Sequence, residues 1–145
     1  MGFQFPLATV LRVRESIEKR EERALQKILI EITRVTQMIE ALNAMIAGAH
    51  IDREDAMRLM IPAGHLHTMQ WEMQSAAEKK QTLLQILQTL EQQRGEQMKA
   101  YQAAHRDRET LTDMMDRQRG LYDLEQNRAQ QKRLDDIVIA RHHRS

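Results

Sequence analysis

The side chains of this sequence that could do chemistry are few and scattered. His65 and His67 lie two residues apart. On a helix that spacing points them to different sides, so a shared metal would require extended backbone, and they read as solvated residues at a chain reversal. His142 and His143 precede Arg144 near the end of the sequence, where a frayed basic segment accounts for them. No phosphate-binding glycine loop, nucleophile elbow, paired HExxH histidines or EF-hand loop occurs. No cysteine is present for a disulfide or a thiolate metal site. The expectation is a protein that is not an enzyme and needs no cofactor and no metal.

A different chemistry, that of contact, fits other residues. Met57, Met60, Met69 and Met73, with Met38 and Met45, would form either core filling or an adaptable binding face, because the thioether is flexible and polarizable. Trp71 fits an anchor for a partner or a residue flanking a packed seam. Arg128, Lys132, Arg133, Arg141 and Arg144 outnumber Asp135 and Asp136 and suit either a solvated segment or docking on an acidic protein surface.

The elements that carry these residues must be helices. The 145 residues include only Phe3, Phe5, Trp71, Tyr101 and Tyr122 as aromatics, too few for a broad globular core, while strong helix formers dominate. Mean hydropathy is -0.64 with 30% charged residues, yet apolar residues recur regularly, which argues for a narrow seam on polar helices and not for disorder. The charge of +1 arises from 22 basic and 21 acidic residues mixed along the chain, which argues against nucleic acid as a partner. No apolar run approaches the roughly 20 residues that span a bilayer, no secretory signal pattern opens the chain, and a cytoplasmic home is expected.

Leu7, Val10, Arg14, Ile17, Glu21, Ala24, Ile28, Ile32, Val35, Ile39, Leu42 and Ile46 step by three or four residues and so share one helical stripe. The consecutive four-residue steps at Ala24, Ile28 and Ile32 suggest a stutter. This predicts a first arm over about 5–47. The pattern breaks at Ala47, Gly48 and Ala49. Asp52 and Asp55 then resemble an N-cap with a capping-box acid, opening a short helix toward Ile61. Pro62 and Gly64 interrupt it, so residues 48–64 are predicted to be a hairpin head.

A second stripe runs through Leu66, Met69, Met73, Ala76, Lys80, Leu83, Leu87, Leu90 and Arg94, then Tyr101, Ala104, Leu111, Met115 and Tyr122, giving a second arm over about 65–141 with soft points at Gly95 and Gly120. The predicted fold is all-α, a single domain built as a long antiparallel two-helix coiled-coil hairpin with a longer C-terminal helix. At about 1.5 Å per residue the arms would be roughly 60 Å and 110 Å long. Reversal near residue 56 would set the N-terminus beside residue 108. Leu111, Met114, Met115, Leu121, Tyr122 and Leu124, with Ile137, Val138 and Ile139, would then be exposed on an unpaired helix, and open apolar rows mark interaction surfaces.

The opening string Phe3-Gln4-Phe5-Pro6-Leu7-Ala8-Thr9-Val10-Leu11-Arg12-Val13-Arg14, running into a Glu- and Arg-rich helix, resembles the start of the flagellar FliJ family. The closing Gln130-Gln131-Lys132-Arg133-Leu134-Asp135-Asp136-Ile137 is similar to that family's last segment. The resemblance implies a rod at the centre of the hexameric flagellar export ATPase, promoting ring assembly and linking it to the membrane export gate and to export chaperones. It implies a location at the cytoplasmic face of the inner membrane. On it, Leu7, Val10, Leu11, Arg12, Arg14, Arg133, Ile137 and Arg141 are expected at the ATPase ring. Met38, Leu42, Met45 and Ala49, with Met69, Met73 and Ala76, are expected to face the gate. The stalk of a virulence secretion system, and a self-associating coiled-coil scaffold or holdase, are the competing readings; no small-molecule substrate is expected.

Overall fold

The structure, a computed structural model, describes residues 2–144. It is all-α. Helix α1 spans Ala8–Arg58 (51 residues) and α2 spans Ala63–Arg144 (82 residues), packed on each other as an antiparallel hairpin. The chain forms two compact units, one comprising Met1–Glu21 with Tyr101–Ser145 and the other Glu22–Ala100.

The seam of α1 is an unbroken heptad repeat. Leu7, Leu11, Arg14, Glu18, Glu21, Leu25, Ile28, Ile32, Val35, Ile39, Leu42, Ile46, Ala49, Arg53 and Ala56 alternate steps of four and three, and every one is buried or half-buried. The expected stutter is therefore absent. It came from placing Val10, Ile17 and Ala24 in the seam, whereas Leu11, Glu18 and Leu25, one residue further on, point inward and keep the spacing regular. Val10 lies on the flank and is exposed. The stripe of α2 follows its expected course except at Arg94, which is exposed; of its three missing steps, Gln97 and Arg108 are half-buried and Gln118 is exposed.

Within the larger unit the seam is thin. Leu25, Val35, Ile39, Ala56, Met73 and Ala76 are its buried side chains, and Val35 at 1% exposure is the best covered. Two helices can enclose only the positions that point directly at each other, so the rest of each heptad stays wet. In the other unit Phe5, Leu11 and Ala104 are buried.

The reversal is shorter than expected. Helix α1 continues through Ala47–Ala49 and through Asp52 and Asp55, which stand inside the helix and cap nothing; Gly48 alone does not break a helix whose Ile46, Ala49 and Ala56 still pack in the seam. The turn is confined to Leu59–Pro62. Ile61 N–H donates to Ala56 O (3.2 Å) and Met60 N–H to Met57 O (3.3 Å), with Met60 at φ 53°, the paired bonds and left-handed residue of a Schellman cap. Pro62 has no N–H to continue α1, and its carbonyl accepts from His65 and Leu66 to begin α2.

Each residue by which the turn moves shifts the pairing of the arms by two. Reversal at Leu59–Pro62 instead of near residue 56 accordingly carries the N-terminal segment past residue 108, and the Phe3 and Tyr122 rings meet at 5.6 Å. Leu111, Met114, Met115 and Tyr122 are half-buried, a correction to the expectation that they stand exposed. From Asp123 to Arg144 every residue is exposed, Leu124, Leu134, Ile137, Val138 and Ile139 among them.

Candidate protein-interaction surfaces

In the unit formed by the two chain ends, three successive seam positions of α1 are polar: Arg14, Glu18 and Glu21. Each carries charge into a place where a coiled coil normally holds Leu or Ile, so each needs a partner. Arg14 Nη1 donates to Asp107 Oδ2 at 3.3 Å. Glu18 Oε2 accepts from Arg108 Nε at 2.6 Å, and Glu18 Oε1 lies 3.1 Å from His105 Nδ1. Arg108 Nη1 also reaches Thr112 Oγ1 at 3.3 Å, and His105 Nε2 lies 3.5 Å from Glu109. The Arg108 hydrogen bond holds the Glu18 carboxyl below its ordinary range, with His105 assisting and partial burial opposing; the same bond raises Arg108. The Glu18 side chain is only 16% exposed. Sequence reasoning passed over Glu18, His105 and Arg108. The available signal was the regular heptad from Leu11 to Leu25, which lands on Glu18.

Beyond this layer the chain end is clasped by aromatics. Phe3 packs on Tyr122, and the Arg119 guanidinium lies 5.8 Å from the Phe3 ring centre. Ala8 N–H donates to Phe5 O at 3.1 Å, starting α1 directly after Pro6. Of the residues expected at the ATPase ring, Leu11 is buried and Leu7 and Arg14 are half-buried, so they hold the hairpin end together. Val10 and Arg12 are exposed on α1, and Arg133, Ile137 and Arg141 are exposed on the uncovered length of α2. Arg128, Lys132 and Arg144 are exposed on that same length, with Asp135 accepting from Gln131 Nε2 at 3.3 Å.

The larger unit carries the residues expected to face the gate, and they divide. Met73 and Ala76 are buried between the arms; Leu42, Ala49 and Met69 are half-buried; Met38 and Met45 are exposed. Met38, Ala41 and Leu42 of α1 face Lys79, Thr82 and Leu83 of α2 across an open, mainly apolar groove of about 440 Å³. Met45 and Trp71 border the adjoining surface, and Trp71 is 67% exposed. The sequence had not singled out Lys79, Thr82 and Leu83 for contact, because a groove beside a seam depends on register, which spacing alone leaves open.

At the reversal Met57, Leu59 and Met60 are exposed, and so are His65 and His67. Among the described residues no group of His, Cys, Asp or Glu is disposed to hold a metal ion, and no helix is long and apolar enough to cross a membrane. What the surface presents is apolar strips bordered by charge, the material of protein–protein recognition.

A family model described as "Flagellar FliJ protein" matches residues 3–145. Neither a search of curated proteins nor one of solved structures returns a match.

Proposed function

The chain belongs to the FliJ family, a non-catalytic component of flagellar export, and from that premise we propose that it is the central stalk of the flagellar export ATPase. In this reading the exposed α2 segment 123–144 enters the hexameric ring, with Arg133, Ile137 and Arg141 on the inserted helix and Val10 and Arg12 beside its root. The observation that carries the reading is that segment: every side chain on it is exposed, apolar residues included, and it ends on the basic run Arg141–Arg144. An uncovered apolar row on a lone helix is marginal in water and gains stability when a sleeve of protein surrounds it. Its cations suit an acidic ring lining.

The groove of Met38, Leu42 and Leu83, with Met45 and Trp71 nearby, is the proposed contact for the cytoplasmic domain of the export-gate membrane protein. Export chaperones are further proposed partners. Their engagement would keep the protein peripheral at the cytoplasmic face of the inner membrane. Met73 and Ala76, being buried, line a smaller depression with Met45 and Ala49 and are not themselves part of that groove.

ATP hydrolysis and oligomer mass of the cognate flagellar ATPase, measured with and without this chain, test the proposal. Hydrolysis and hexamer formation should rise together and saturate near one chain per six subunits. The exposed apolar row also suits self-association, the scaffold reading. A concentration-dependent homodimer in sedimentation, with no response from the ATPase, would replace the stalk by that scaffold.

A further inference from the structure

We propose that the ionic layer of Arg14, Glu18, Asp107 and Arg108 is a register lock, selecting one of several heptad-spaced alignments of the two arms in the terminal unit. It thereby sets where α2 parts from its partner, just after Tyr122.

Apolar heptad seams are permissive: a slip of one heptad sets Leu, Ile, Met and Ala against one another again. The ionic layer is not permissive. In the observed alignment Glu18 meets Arg108 at 2.6 Å and Arg14 meets Asp107 at 3.3 Å. One heptad in one direction would set Glu18 against Thr112 and Met115 and Arg14 against Met114. One heptad in the other would set Glu18 against Met98 and Tyr101 and Arg14 against Ala100. Neither alignment supplies a cation for a carboxylate that is largely covered, and a covered charge without its counter-charge is strongly disfavoured. The layer thus works by excluding alternatives, and replacing it with leucine would keep or raise stability while removing the selection. Register matters here because it sets how much of α2 is uncovered. A slip moves the meeting point of Phe3 and Tyr122 and covers or frees about two helical turns.

The chain has no cysteine, so Ser16→Cys and Ala103→Cys, both at exposed positions, carry a pair of spin labels in the full-length protein. Electron–electron distances are measured without any ATPase, so the outcome is independent of the stalk reading. With the native layer one distance is expected. Glu18→Leu with Arg108→Leu should add a second distance population, from labels whose offset along the hairpin axis has changed by roughly 10 Å, the rise of one heptad. The charge-swapped pair, Glu18→Arg with Arg108→Glu, should return the distribution to a single distance. A Leu/Leu protein that keeps the one native distance overturns the lock. So does a swap that leaves two populations, since complementary charge would then not be what selects the alignment.

Discussion

Met60 shows how one residue can oppose its own backbone. It occupies the left-handed position of the cap that ends α1, a conformation that costs an L-residue about 1–2 kcal/mol, and its side chain is 92% exposed. Glycine at this position loses no burial and relieves the strain, although its greater freedom in the unfolded chain offsets part of the gain. Met60→Gly should therefore stabilise the hairpin by on the order of 0.5–1 kcal/mol, read as a raised midpoint in urea. Glu18 makes a second prediction at this scale. Its folded pKa lies below the ordinary 4.5, so the stability it contributes is fully present above that value and is lost as pH falls through the folded value. Thermal midpoints should decline below about pH 4.5, and Glu18→Gln should flatten part of that decline. The charged groups around it are Arg14, Glu15, Asp107, Arg108 and Glu109, with His105, and they are common to both proteins, so the comparison with the variant isolates the one carboxyl.

For the helices, the question is which face is inside. Ile39 is buried in the seam, whereas Ile30 on the same helix is 66% exposed. Ile39→Ala should cost about 2–5 kcal/mol through lost burial and a residual cavity. Ile30→Ala should stay within about 0.5 kcal/mol of the parent. Chemical denaturation of the two variants side by side checks the inward assignment of the heptad. Equal losses would mean that Ile30 is covered in solution, as it would be in a self-associated form. The turn is decided by local chemistry: Pro62 cannot extend α1, Met60 absorbs the change of direction, and the carbonyl of Pro62 starts α2. Sequence reading located the proline correctly but spread the reversal over 48–64, because Gly48 and the acids at 52 and 55 mimic the signals of a helix boundary. In an isolated peptide those signals weigh heavily. Here the packing of Ile46, Ala49 and Ala56 outweighs them.

At the scale of the molecule, structure and proposed function are separable. The segment 123–144 is exposed throughout, so the folded hairpin does not lean on it. A chain ending at Tyr122 should keep its unfolding free energy within about 0.5 kcal/mol of the parent while losing stimulation of the export ATPase. A truncation that unfolds the hairpin would show the segment to be part of the fold, and one that keeps full stimulation would remove it from the proposed ring contact. The groove beside Met38 and Leu42 lies in the other compact unit, so substitutions there should leave ATPase stimulation intact and weaken only binding of the gate domain.

Composition and spacing alone determined that this chain is helical, that its helices pair along a narrow seam, and, through the strings at its two ends, that it resembles the FliJ family. Those properties are local or periodic: a three-and-four repeat of Leu and Ile can be read residue by residue. Tertiary structure alone decided the register. A heptad seam is nearly degenerate under slippage, so the charge that Glu18 meets, the covering of Leu111 and Met115, and the point at which α2 becomes free all depend on which of several similar alignments the folded chain adopts. They follow from contacts between residues about 90 apart in sequence, such as Glu18 with Arg108, and no pattern along one helix encodes which partner the other will present.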